Sequence, residues 1–311
     1  MDKTLVVIIG PTASGKTKLG IDIAIKMGGE IVSADSMQVY KLMDIGTAKP
    51  TEEERKKIPH HLIDVVYPHE SFTAYDYQKM AVACIKEISD RGRVPLMVGG
   101  TGLYVKAVLE GYDFDSSQTD WDYRKRLERF AEEKGNKALH SLLHEIDPNS
   151  AKKIHPNDVR RIIRALEVYN QTGKPISDQK KKPSYLEKMG FGVSKIGLTL
   201  DREKLYRRIE QRVDEMISAG LIKEVENLLA LGYSTDLFSM KGLGYKQIAA
   251  YLENKMSLEE AVEETKQETR RYAKRQYTWF RSDKAITWFD VTSYDSVEDL
   301  SRNVLSVIKD I

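Results

Sequence analysis

"TLVVIIGPTASGKTKL", residues 4–19, runs from an unbroken apolar stretch through a glycine turn into the start of a helix. Thr4 to Ile9 is continuous and β-branched, the pattern of a strand buried on both faces and hence of a parallel sheet. Gly10, four residues, then Gly15-Lys16-Thr17 form the phosphate-cradling loop pattern. Gly10 and Gly15 allow the backbone to turn with positive φ, so that consecutive N–H groups point inward at phosphate oxygens. The helix beginning at Lys16 adds the positive end of its dipole. Lys16 is a point charge for the terminal phosphate, and Thr17 offers a hydroxyl to Mg²⁺. Phosphate binding follows; which phosphate does not.

The strand and helix signals continue outward from this loop. A helix runs from Lys16 to about Met27, where Gly28-Gly29 stops it. Further strands are expected at Glu30–Ala34, Leu62–Val66, Val94–Val98, Lys195–Leu200 and Ala285–Phe289. Thr73, with Asp76 three residues on, starts a helix to about Arg91. Alternating strands and helices predict a doubly wound α/β parallel sheet. Between Asp122 and about Ile176 only helices are read. The expected organisation is an α/β P-loop core, residues 1–114 and 194–311, carrying a helical insertion domain at 115–193.

The chain has 311 residues, of which 41% are apolar, enough for a sizeable core. No apolar run approaches the ~20 residues of a membrane span. Met1-Asp2-Lys3 leads directly into a strand, so no export leader is expected. The single cysteine, Cys84, fits a reducing cytoplasm and reads as a buried, inert thiol. Net charge is only +2, but it is unevenly spread. Lys152, Lys153, His155, Arg160, Arg161 and Arg164 stand against one acid, Asp158, with Lys180, Lys181 and Lys182 following. Arg270, Arg271, Lys274, Arg275 and Arg281 form a second cluster. Two basic clusters on a near-neutral chain point toward nucleic acid.

"SADSMQVY" places Asp35 just beyond the second strand, on the sheet edge where ligands of open α/β folds sit. There Asp35 is a candidate general base or acceptor of an amine proton, and Gln38 a candidate partner for a base edge. "VGGTGLY" puts Thr101 on the same edge, with glycines that permit close approach to a ligand. A phosphotransferase usually also has a strand-end aspartate for its metal. The strand VPLMV ends in Gly-Gly-Thr instead, and Asp64 is a weak substitute. His60-His61 and the His140/His144 pair lack companions at zinc-site spacing and read as surface or packing residues.

Taken together these pieces resemble the tRNA dimethylallyltransferase family, in its compact bacterial form. "GPTASGKT", "SADSMQVY", "MDIGTAKP", "VGGTGLY", "IHPNDVRRIIRALEV", "KGLGYKQ" and "AKRQYTWFR" occur in the family's order and cover nearly the whole chain. The resemblance implies that the P-loop holds the diphosphate of dimethylallyl diphosphate, with Mg²⁺, rather than ATP. It implies transfer of the dimethylallyl group to the exocyclic N6 of the adenosine 3′-adjacent to the anticodon in tRNAs reading UNN codons, with loss of pyrophosphate. By resemblance Asp35 and Thr101 are catalytic, Asp35 toward the N6 amino group and Thr101 toward the bridging oxygen. Gly10, Thr12, Ala13, Ser14, Gly15, Lys16, Thr17 and Arg208 bind diphosphate, with Arg207 beside Arg208 leaving that register open; Thr17 also binds metal. The implied tRNA contacts are Asp35, Ser36, Met37, Gln38, Arg124, Arg160, Arg161, Arg164, Lys241, Gly242, Gly244 and Tyr245. The insertion is expected to grip the anticodon stem-loop. The protein is expected to be cytoplasmic and monomeric, without membrane contact. The basic stripe Arg270, Lys274 and Arg281 faces tRNA or closes over the diphosphate; the sequence does not decide. Two other readings compete: a P-loop kinase of a nucleotide or small metabolite, and a non-catalytic RNA-binding protein.

Overall fold

The computed structural model describes residues 3–111, 120–178 and 183–309. The expected Lys180–Lys182 cluster lies outside them. Six strands are described: β1 (Lys3–Ile9), β2 (Gly29–Ala34), β3 (His60–His61), β4 (Val94–Gly99), β5 (Phe191–Thr199) and β6 (Thr287–Asp290). They form one sheet in the order β3-β2-β4-β1-β5-β6, with every pairing parallel. The doubly wound α/β expectation therefore holds. Its third strand does not. Leu62 and Asp64 adopt left-handed φ of 60° and 57°, so 62–66 cannot run extended. The Asp64 carboxylate is instead drawn to Lys49 (2.6 Å) and Arg55 (2.8 Å), and the preceding histidines supply the short strand.

The helices are α1 (Lys16–Met27), α2 (Glu52–Lys57), α3 (Ala74–Asp90), α4 (Gly102–Leu109), α5 (Trp121–Lys134), α6 (Asn136–Ile146) and α7 (Pro148–Ala151). They continue with α8 (Val159–Thr172), α9 (Tyr185–Lys188), α10 (Arg202–Ser218), α11 (Leu221–Ala230), α12 (Tyr245–Leu252), α13 (Leu258–Phe280) and α14 (Val297–Lys309). The Thr73–Asp76 capping box forms as expected: Asp76 N–H donates to Thr73 Oγ1 (3.2 Å) and Thr73 N–H to Asp76 Oδ2 (2.9 Å).

The chain divides into two compact units, one comprising Met1–Gly111 with Pro183–Ile311 and the other Tyr112–Lys182. The second unit closes before the residue 193 expected for the insertion, and Phe191 already opens β5. In the first unit β1 alternates between two cores. Leu5, Val7 and Ile9 pack with Tyr77, Ile85, Met97 and Phe280, while Val6 and Ile8 pack with Leu19, Ile23, Leu198 and Val304. Burial on both faces is what the uninterrupted apolar run encodes. A third cluster joins Val39, Tyr40 and Met43 to α11, α12 and α13. The second unit has its own core of Leu127, Leu139, Leu143, Ile162, Ile163 and Leu166. Among the described residues no helix is long and apolar enough to cross a membrane.

Candidate active site

Register alone assembles the site. Ile9 pairs with Gly99, and Gly99 with Ala34, so β1, β4 and β2 end level. The residues that follow each strand, Gly10, Gly100 and Asp35, leave the sheet side by side at its C-terminal edge, the ligand edge of open α/β sheets. The glycines are required there. A Cβ on Gly99 would come within 2.2 Å of Ala34 O, and one on Gly10 within 2.9 Å of Leu198 O.

The P-loop takes positive φ at Ala13 (61°) and Gly15 (92°), the kind of backbone turn that builds anion-binding concavities. Lys16 Nζ donates to Pro11 O (2.5 Å). The Ser14 hydroxyl is buried without a hydrogen-bond partner among the described residues, an orphan that a phosphate oxygen would satisfy. Burial lowers the Lys16 pKa to about 7, with the Arg212 charge acting in the same direction against the pull of Asp35.

Asp35 is half-buried. Its Oδ1 accepts from Met37 N–H (2.8 Å) and Gln38 N–H (3.3 Å), a local turn that orients the carboxylate. Thr101 N–H donates to Ala34 O (3.0 Å), and Thr101 Oγ1 accepts from Ser36 N–H (3.0 Å). Asp35 and Thr101 are thereby held on adjoining strand ends, as the sequence expects.

Other candidates are placed differently. The Gln38 amide is consumed internally: Oε1 accepts from Ser33 Oγ (3.0 Å), and Nε2 donates to Thr47 O (3.3 Å) and Ala48 O (3.2 Å). It is not held out for a base edge. Tyr245 is fully buried, and its hydroxyl donates to Glu224 Oε1 (2.5 Å). The same Glu224 carboxylate accepts from the N–H groups of Asp44, Ile45 and Gly46, tying the "MDIG" segment to α11. Lys241 is exposed. Gly242 leaves room for Met37, whose Cε would lie 2.5 Å from an added Cβ.

The arginine of α10 that faces this site is Arg212. Its guanidinium and the charges of Lys16 and Asp35 interact. Arg208, one turn earlier, is exposed, and Arg207 is exposed beside Glu203 (3.6 Å). Arg208 and Arg212 are four apart in "RRIEQR" and so share a helical face, which spacing alone does not resolve into one site arginine. Within the basic stripe Arg270 pairs with Glu210 (2.6 Å), and Arg281 lies over the Tyr277 ring (5.0 Å to its centroid).

In the second unit a fully buried carboxylate organises two of the candidate arginines. Glu167 accepts from Arg124 Nε (2.9 Å), Arg124 Nη2 (2.8 Å) and Arg164 Nη1 (2.6 Å), and from Asp120 N–H (3.0 Å). Burial alone would raise the Glu167 pKa, but these hydrogen bonds hold it below the ordinary carboxylate value. Arg160 and Arg161 are exposed on the same helix.

Among the described residues no group of three or more His, Cys, Asp or Glu gathers around a metal position. His61 Nε2 is 2.7 Å from Glu30 Oε2, and His140 Nε2 faces Ala151 O and Ile154 O. Thr17, the second residue of α1, offers the hydroxyl that would hold Mg²⁺ beside the cradle. Asp64 is bound to Lys49 and Arg55, which removes the sequence's one substitute for a phosphotransferase aspartate. Burial pushes the Cys84 thiol up to about 12, so it is inert at neutral pH.

A family model described as IPP transferase matches residues 38–283. A tRNA dimethylallyltransferase of Alkaliphilus oremlandii is 50% identical over 309 residues, covering 99% of this chain and 98% of its own. One of Acetivibrio thermocellus is 52% identical over 308 residues, covering 98% and 96%. The crystal structure of a Bacillus halodurans tRNA isopentenylpyrophosphate transferase superposes with a TM-score of 0.73 at 45% identity, covering 99% of this chain and 97% of that one. A eukaryotic dimethylallyltransferase acting on tRNA superposes with a TM-score of 0.81 at 29% identity, covering 99% and 79%. With a family model matched over most of its length and relatives about 50% identical from end to end, the chain belongs to the IPP transferase family of tRNA dimethylallyltransferases.

Proposed function

We propose that the chain transfers the dimethylallyl group of dimethylallyl diphosphate to the exocyclic N6 of the adenosine 3′-adjacent to the anticodon, in tRNAs reading UNN codons, releasing pyrophosphate. It does so as a cytoplasmic monomer. The observation that carries this reading is the cationic phosphate cradle facing Asp35, a carboxylate oriented through one oxygen by its own turn.

The adenine amine is a weak nucleophile because its lone pair is delocalised into the ring. The reaction therefore leans on cation-like character at the allylic carbon. The allyl C–O bond breaks with its electron pair leaving on pyrophosphate, and the cradle amides, Lys16 and Arg212 take up the growing negative charge. The N6–C bond forms, and Asp35 Oδ2 receives the amine proton during or after attack. Thr101 addresses the bridging oxygen. Thr17 would hold Mg²⁺, which would supply further positive charge at the leaving diphosphate. The target base is flipped from its stack, while Arg160, Arg161, Lys241 and the Glu167-oriented Arg124 and Arg164 engage RNA phosphates.

Purified protein with Mg²⁺, radiolabelled dimethylallyl diphosphate and unmodified UNN-decoding tRNA, without ATP, should label the tRNA. Label should vanish when the target adenosine is changed to guanosine. Absence of label together with ATP consumption on a small acceptor would replace this reading by a kinase.

Two site predictions follow from the geometry. Arg212→Ala should lower kcat/KM for dimethylallyl diphosphate by about 10²-fold, and Arg208→Ala by less than about threefold; steady-state kinetics would expose a reversed order. Because burial lowers the Lys16 pKa to about 7, and diphosphate favours the charged form, pyrophosphate binding takes up a proton. Affinity should fall as pH rises from 7 to 8, approaching about tenfold per unit. Calorimetry of Lys16→Met under the same conditions should retain only the slope set by ionisation of pyrophosphate itself.

A further inference from the structure

One buried amide joins the two glycine loops of the site. Gln276, on α13, is only 6% exposed. Its Oε1 accepts from Thr12 N–H in the P-loop (2.8 Å), and its Nε2 donates to Gly100 O in the loop that carries Thr101 (3.0 Å). Both ends of the carboxamide are thus used, on two loops far apart in sequence. The fit is close: a Cβ on Gly100 would stand 2.3 Å from Gln276 Nε2. One helical turn earlier, the Tyr272 hydroxyl reaches the side chains of Thr101 and Gln276, and one turn later Trp279 fills the space beside Gly102. Burial, then the Asp35 charge, push the Tyr272 phenol up to about 12, so it stays neutral.

We infer that Gln276 is a positioning residue of the transferase, whose carboxamide sets the separation between the diphosphate cradle and Thr101. This rests on the transfer reaction proposed above. Two consequences of the bond pattern support it. Thr12 N–H is occupied by Gln276 and Ser14 N–H by Pro11 O (3.3 Å), so neither is among the amides left to face the diphosphate. The carbonyl of Gly100 is held at the residue preceding Thr101, so the hydroxyl that addresses the bridging oxygen is indexed to the same amide as the cradle. Glutamine offers a neutral donor and acceptor in one plane at the end of an unbranched side chain. Methionine would offer no donor and only a weak acceptor, and glutamate would set a carboxylate against the Gly100 carbonyl.

The test is a double-mutant cycle read by single-turnover transfer from dimethylallyl diphosphate to unmodified tRNA. Gln276→Met should slow transfer by about thirtyfold, the scale of a small misplacement of reacting groups, with tRNA Kd unchanged. In a Thr101→Ala background the same substitution should cost less than about threefold, because the two side chains act as a unit. An equal loss in both backgrounds, or an unchanged rate in the single variant, overturns the inference. Should Gln276→Met not fold, Gln276→Glu enters the same cycle: it keeps an acceptor for Thr12 N–H and loses the donor to Gly100 O, and the same non-additivity is expected. Failure of the wild-type chain to transfer would instead overturn the reaction on which the inference stands.

Discussion

Asp35→Asn should slow dimethylallyl transfer by about 10³-fold, the scale of a lost general base, while tRNA affinity stays within about tenfold of wild type. Asparagine preserves the side-chain oxygen that accepts from Met37 and Gln38 N–H, so the turn survives and only proton acceptance is removed. Asp35→Ala removes both. Its transfer should be lost at least as completely, with a further local loosening of about 1 kcal/mol for the hydrogen bonds. The comparison separates chemistry from positioning. A near-normal rate for the asparagine variant would mean that the N6 proton leaves by another route. Gel-shift titration of both variants gives the binding control.

Glu167→Ala should have the largest effect outside the reacting centre. The carboxylate is fully buried and joins Arg124 to Arg164. Removing it leaves two guanidinium groups in a partly desolvated place without their shared anion, and breaking such a pair costs about 3–5 kcal/mol when it is fully buried. The arginine side chains are 28% and 34% exposed, and water relieves part of that, so about 2–3 kcal/mol is expected. Hydrogen exchange should locate the loss in residues 120–178 rather than in the sheet. The tRNA affinity should fall with it, because Arg124 and Arg164 lose their orientation.

The pH dependence has a definite sign. The folded-state pKa of Glu167 is depressed below its ordinary 4.5, so the stabilisation is fully present above 4.5 and is lost as pH falls through the folded value. Wild type and Glu167→Gln should therefore differ at neutral pH and converge in acid. A constant gap across that range would show that packing, not charge, accounts for the difference.

The strands β1, β2 and β4 and the turn that follows β1 were legible because each signal is local. An unbroken apolar run and glycines at fixed offsets do not depend on distant partners. The segment 62–66 misled because its apolar residues suggest a strand, whereas its fold is decided by Asp64 meeting Lys49 and Arg55. Arg212 escaped for a similar reason. Three arginines lie within "RRIEQR", and only the register of α10 against the sheet edge selects one of them. Gln276 and Gln38 could not have been read from sequence, since an amide shows its use only through the backbone groups it meets.

The order of the sheet also constrains how the chain is made. β1 precedes the other described strands of the sheet in the chain, yet it lies between β4 and β5, and β5 begins only at Phe191. At about 5–20 residues per second, β1 waits on the order of 10–40 seconds for its second neighbour. During that interval an apolar strand end with unpaired amides stands open beside the half-built cradle. The helices of the second unit, whose core is internal to the segment Tyr112–Lys182, are synthesised within the same interval. Nascent chains stalled before residue 191 should be the aggregation-prone and chaperone-dependent species in this protein's biogenesis.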